Sequence, residues 1–133
     1  MTHVINFSPQ FATLVRSGAK TQTIRPVRKQ PIKPGDTLRL YTGLRTKKCT
    51  FLREVICAEV MPCRIDEDDI IVFYVGEWGQ NVIEILGKRD IRKLVVADGF
   101  ATHKDFVAWF CSHYGLPFDG VVIKWRLTDA NPK

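Results

Sequence analysis

Hydrophobic positions recur at two different periods along the chain, and each change of period marks an element. His3 to Phe7 reads as a short strand. Phe11, Leu14 and Val15 then fall at helical spacing behind Ser8, a residue able to cap a helix, and Pro9, which suits a first helical position. Gly18 supplies the left-handed residue that ends such a helix cheaply. Thr37 to Thr42 alternates, with Leu38 and Leu40 inward and Arg39 and Tyr41 outward. Thr50 to Pro62 predicts a long strand with Leu52, Ile56, Ala58 and Val60 on one face. Glu54 interrupts that face, so a bulge is expected near it. Ile70 to Val75 and Asn81 to Leu86 follow as strands, preceded by the acidic turn Arg64 to Asp69 and separated by Gly76-Glu77-Trp78-Gly79.

The period then returns to that of a helix. Lys88 to Asp98 carries Ile91, Leu94 and Val95 on one face and stops at Gly99. Thr102 with Asp105 three residues later resembles a capping box, and it opens a helix whose Phe106, Trp109 and Phe110 form a core-facing stripe up to Tyr114-Gly115. Val121, Ile123, Trp125 and Leu127 alternate with Val122, Lys124 and Arg126 as a closing strand. No repeat, low-complexity run or linker divides the 133 residues, a length that suits one domain over residues 1–133 with a sizeable core. Five to seven strands with a few helices predict an α+β, mostly β fold, a partly closed β-barrel with helices at its ends.

Charge changes this picture more than composition does. Residues 1–64 hold 12 Lys and Arg against 3 Asp and Glu (+9), whereas residues 65–133 hold 8 against 11 (−3). That asymmetry points to a basic face and a polyanionic partner, RNA or a nucleotide. Two loops carry much of it: Arg28, Lys29 and Lys33 in a proline-stiffened segment that turns at Pro34-Gly35-Asp36, and Arg45, Lys47 and Lys48 after Gly43. No run approaches the ~18 apolar residues of a membrane span and the N-terminus lacks a signal-peptide pattern, so a cytoplasmic protein with no membrane partner is expected. The cysteines, Cys49, Cys57, Cys63 and Cys111, show no metal-binding spacing and read as buried or half-buried thiols. No metal and no cofactor is assigned.

The candidate chemistry lies in Ser17-Gly18-Ala19-Lys20-Thr21-Gln22-Thr23-Ile24-Arg25. With Ile24 facing the core, strict alternation turns Thr21, Thr23 and Arg25 toward a cleft; Lys20 joins them only if the chain is still turning at residues 19–21. A threonine hydroxyl needs a nearby base to act as a nucleophile. Lys20 can be that base if burial, Arg16 or Arg25 lowers its proton affinity, while Arg25 can donate to a developing oxyanion.

This stretch resembles the S-G-x-K-T-x-T-I-R signature of ASCH domains. Pro34-Gly35-Asp36 before Leu38-Arg39-Leu40-Tyr41, Ala97-Asp98-Gly99-Phe100 and Phe118-Asp119-Gly120-Val121-Val122-Ile123-Lys124-Trp125 extend the resemblance over nearly the whole chain. It implies a PUA-like β-barrel with flanking helices, in the manner of bacterial and phage members, and a role in binding RNA. It also implies a site. One enzymatic branch hydrolyses N4-acetylcytidine with a K-x-x-T pair and a later Glu, which Lys20 and Thr23 match and Asp98 replaces with an arm one methylene shorter. This chain also adds a basic loop and a turn at Trp78. Three functions follow as expectations: RNA or nucleotide binding along Thr21, Arg25, Tyr41 and the two basic loops; amide hydrolysis by Lys20, Thr23 and Asp98; and protein interaction through an apolar patch around Trp78.

Overall fold

A computed structural model of the protein describes residues 1–127. The strands are β1 (Thr2–Phe7), β2 (Gln22–Arg25), β3 (Thr37–Thr42), β4 (Thr50–Ile65), β5 (Ile70–Val75), β6 (Asn81–Ile85) and β7 (Phe118–Arg126). A single 3-10 turn, Pro9–Phe11, leads into α1 (Ala12–Ser17); α2 (Lys88–Ala97) and α3 (His103–His113) lie between β6 and β7. The fold is α+β and mostly β.

β4 is the spine. Its first half pairs with β3, its last residues with β5, and its other edge with β7 along Ile56 to Ile65. β1 runs parallel to β3, β2 antiparallel to β7, and β6 antiparallel to β5. The seven strands form one sheet that branches at β4 and is not closed, where the sequence predicts a partly closed barrel.

The outer edge of β1 is nevertheless covered: Arg25 Nη2 donates to Asn6 O at 2.7 Å and Arg28 Nη2 to Val4 O at 2.8 Å. Two guanidinium groups thereby occupy backbone acceptors that a foreign strand would otherwise use.

The core runs from Ile5, Phe7, Leu38 and Leu40 through Val55 and Ile123 to Phe106 and Phe110. The aromatic stripe of α3 lies there as expected, with Trp109 half-buried at its margin. Thr102 Oγ1 accepts from Asp105 N at 3.1 Å, which makes the N-cap read from the sequence.

Four expectations change. Ser8 sits in the extended N-cap conformation but its side chain makes no cap bond; its carbonyl accepts from Phe11 N instead. In β4 the register slips where Leu40 faces Arg53 but Tyr41 faces Phe51, leaving Leu52 as the extra residue. That bulge, close to where Glu54 indicated one, moves Arg53, Val55 and Cys57 into buried positions, leaving Ile56 half-buried and Ala58 exposed. Leu127, read as part of the closing strand, lies beyond the end of β7 and is exposed. Cys57 and Cys63 are buried thiols, whereas Cys49 and Cys111 are exposed.

Candidate functional site

The site grows from the end of α2. Asp98 is the helix C-cap and Gly99 follows at φ 97°, in the left-handed region. Phe100 N donates to Val95 O and Gly99 N to Val96 O, both at 3.0 Å, the pair of bonds that defines a Schellman motif. The segment after α1 takes the open carbonyls of Ala97 and Asp98 and adds a second donor to Leu94 O, which already accepts from Asp98 N. Thr21 N donates to Ala97 O at 3.0 Å, Gln22 Nε2 to Leu94 O at 3.3 Å, and Lys20 Nζ to Asp98 O. A cation at a helix C-terminus is favoured by the helix dipole, so this placement of Lys20 is stabilising before any chemistry is considered.

Lys20 gets there because the chain is still turning when it reaches that residue. Gly18, at φ 88°, caps α1, and Lys20 N bonds back to Leu14 O at 3.0 Å. β2 begins only at Gln22. Lys20 Nζ lies 3.4 Å from Asp98 Oδ1, with the two residues 2% and 3% exposed. Phe11 and Phe7 face the ammonium at 4.8 and 5.5 Å from their ring centroids. Burial is the main force on both groups: it pushes Asp98 up to about 6 against the pull of Lys20, Gln22 and Arg25, and lowers Lys20 to about 8. Arg25 adds to the lowering of Lys20. Arg16 is exposed and has no part in it.

Thr23, 3% exposed, accepts a 2.9 Å hydrogen bond from Arg25 Nε, and Arg25 lies 5.0 Å from the Phe7 ring. Lys20, Thr23, Arg25 and Asp98 line one pocket of about 190 Å³. Phe11, Phe100, Trp109 and Tyr114 are among its other walls, and His113 stacks on Trp109 with ring centroids 4.0 Å apart. That volume is below the ~300–1,000 Å³ of drug-sized sites, so the pocket suits one planar group and not a whole polynucleotide segment.

The other expected site residues are dispersed. Thr21, committed through its backbone to Ala97 and Trp125, lies outside this pocket and lines a separate groove between α2 and β5–β7. Tyr41 pairs in register with Asn6 but packs against Phe51 at 5.3 Å and does not line the pocket. Arg28 is held on the β1 edge, and Lys29 and Lys33 are exposed beyond it. Lys33 belongs to the turn closed by Asp36 N donating to Lys33 O at 3.0 Å, near His3 at the start of β1. Arg45, Lys47 and Lys48 are exposed on the loop that Leu44 N fastens to Asn6 Oδ1 at 3.0 Å, and Asn6 borders the pocket. Thus the loop of Arg45, Lys47 and Lys48 is tied to the site through Asn6, whereas the other begins beside Arg25 and carries Lys33 to the far end of β1. Trp78, 88% exposed, is not among the pocket walls and sits in the turn of the β5–β6 hairpin, whose Val75, Ile83 and Ile85 are also exposed.

Sequence reasoning missed Gln22, Asn6, His113 and Tyr114. Gln22 stood within the signature as its variable position, and the α3 aromatics were read as core alone. Among the described residues no group of three or more His, Cys, Asp or Glu is placed to hold a metal ion, and no helix is long and apolar enough to cross a membrane. Compared with protein-family models, curated proteins and solved structures, the chain matches none.

Proposed function

We propose that this chain binds a nucleobase-bearing ligand, a nucleoside or a single nucleotide unit of RNA, in the pocket between β1, β2 and α3. The observation that carries the reading is the convergence of Lys20, Thr23, Arg25 and Asp98 in one aromatic-walled pocket sized for a single planar group. Aromatic walls supply stacking and the polar set supplies hydrogen bonds, the two components of base recognition in single strands. The assignment to PUA-like ASCH domains belongs to the same proposal. Its support is that the S-G-x-K-T-x-T-I-R run provides three of the four polar residues. The test is equilibrium binding of cytidine and of short RNA to the wild type and to Arg25→Met and Trp109→Ala. Binding that both substitutions weaken is expected; binding indifferent to both excludes this pocket.

A second reading, hydrolysis of an N-acylated base, is favoured by the lowered proton affinity of Lys20 and the raised one of Asp98. In it the Thr23 hydroxyl adds to the acyl carbonyl carbon as its proton passes to neutral Lys20. The amine takes that proton and leaves, and water then releases the acid from Thr23. Lys20 Nζ is directed at Asp98 and makes no hydrogen bond to Thr23 among the described residues, so the transfer requires a turn of the lysine side chain or a bridging water. Release of cytidine from N4-acetylcytidine, lost in Thr23→Ala, is the expected result. No release by the wild type, and none by Asp98→Glu, leaves binding alone.

A further inference from the structure

Gln22 is buried and does not itself line the pocket that both readings use, yet it grips the one carboxylate there that both readings need. Its Nε2 donates to Leu94 O at 3.3 Å and to Asp98 Oδ1 at 3.4 Å. Lys20 Nζ stands 3.4 Å from that same Oδ1. With both donors on Oδ1, Oδ2 makes no hydrogen bond among the described residues, and it is not one of the enclosed atoms left without a partner. Oδ2 is therefore the oxygen left to bond, on a carboxylate that lines the pocket. A carboxylate turns about a broad terminal torsion, so fixing one oxygen is what fixes the other. Thr23 completes the pattern: its oxygen accepts from Arg25 Nε at 2.9 Å, which leaves its hydroxyl hydrogen to donate.

We propose that Gln22 is a positioning residue that holds Asp98 so that Oδ2 accepts an N–H from the ligand. The pocket then selects planar groups that carry an N–H beside an acceptor, as an aminopyrimidine edge or an N-acyl amine does. The inference rests on the nucleobase reading above, and its two halves are separable by experiment.

The experiment compares the wild type with Gln22→Met, which keeps the length of the side chain and removes its donor. Carbon-13 carboxyl NMR follows the titration of Asp98, which Lys20, Arg25 and Cys63 also face. The Gln22 bond favours the ionised carboxylate, so the Asp98 midpoint rises in Gln22→Met. Affinities for cytidine and for N4,N4-dimethylcytidine, which lacks the N–H, give the second readout. The wild type prefers cytidine by roughly 10–150-fold, the worth of one hydrogen bond to a charged acceptor, and Gln22→Met narrows that preference. An unmoved Asp98 midpoint in the folded variant overturns the positioning role. Equal affinity of the wild type for the two nucleosides overturns the ligand half, and so does the absence of all nucleoside binding, which also removes the nucleobase reading. Should Gln22→Met fail to fold, the wild-type preference and the Asp98 midpoint of Gln22→Leu decide the same two points.

Discussion

Lys20 Nζ donates to the main-chain carbonyl of Asp98 and stands 3.4 Å from that residue's Oδ1, so one lysine closes a helix and pairs with a carboxylate. Both ions are taken out of water, and their attraction offsets only part of what that costs. Folding therefore shifts each group toward its neutral form, Asp98 up to about 6 and Lys20 down to about 8.

Stability should consequently pass through a shallow minimum near neutral pH. Between the ordinary carboxylate range and about 6 the folded state holds more protons than the unfolded one, so stability falls as pH rises. Between about 8 and the ordinary lysine value the unfolded state holds more, so stability rises with pH. Urea midpoints measured from pH 4 to 10 should show both limbs. Asp98→Asn should remove the acidic one and Lys20→Met the basic one. A wild-type profile that peaks between pH 6 and 8 and is unaffected by these substitutions contradicts the burial of the pair.

Gly99 controls the same junction from the backbone. A Cβ there would stand 3.1 Å from Phe11 Cδ1 and 3.3 Å from Lys20 Cδ, at φ 97°. Gly99→Ala is expected to cost about 1–2 kcal/mol from the left-handed conformation alone, with crowding of Phe11 added. Thermal unfolding measures it, and a loss below a few tenths of a kcal/mol contradicts the Schellman geometry. Because Lys20 is pushed as well, ligand affinity should fall more in this variant than in a comparably destabilised substitution distant from the pocket.

Most elements were legible because their residues answer to local rules. Leu38 and Leu40 in β3 and Ile70 and Val72 in β5 alternate with half-buried neighbours, and the ends of α2 and α3 carry their own signals in Gly99 and Thr102. β4 was misread beyond Leu52 because one inserted residue reverses the inward parity, and a bulge is set by the partner strand as much as by the sequence. How far the sheet closes is equally unreadable from the chain, since it depends on which distant edges meet. Lys20, Thr23, Arg25 and Asp98, named from the signature and its resemblance, line one pocket. Thr21 and Tyr41 were misplaced because alternation assigns a face but cannot say what covers it. Gln22 shared the buried face with Ile24, where a polar side chain reads as an exception until its acceptors at the end of α2 are known.

Thr23 separates binding from hydrolysis. Thr23→Val preserves the shape of the buried side chain and removes the acceptor for Arg25 Nε, while Arg25 keeps Asn6 O. The expected stability loss is about 1–3 kcal/mol, the range for one hydrogen bond to a charged donor. If the site hydrolyses N4-acetylcytidine, turnover should vanish in Thr23→Val and should rise with pH through about 8 in the wild type as Lys20 becomes neutral. Lys20→Met should lower the rate by roughly 10²–10⁴-fold, the usual contribution of a general base. Steady-state rates from pH 6 to 9 check all three, and a rate that is flat across that range removes Lys20 as the base.

The two basic loops should differ in what they do to RNA. Leu44 N holds the loop of Arg45, Lys47 and Lys48 to Asn6, which borders the pocket and passes its carbonyl to Arg25. Lys33 lies at the opposite end of β1, roughly 15 Å away along the strand at ~3.3 Å per residue. A single strand that places one base in the pocket therefore brings its neighbouring phosphates to the first loop and not to the second. Each phosphate neutralised on a single strand contributes about −0.7 to the slope of log affinity against log salt. Replacing Arg45, Lys47 and Lys48 together by Ala should make that slope shallower by up to about 2 while leaving free cytidine binding unchanged, because no counterions are displaced by an uncharged nucleoside. Replacing Lys29 and Lys33 should alter neither. Titrations of a short RNA from 50 to 300 mM salt decide it: if the Lys29 and Lys33 substitution flattens the slope as much as the other, the strand does not follow the loop beside Asn6, and the basic half of the chain acts as a diffuse field.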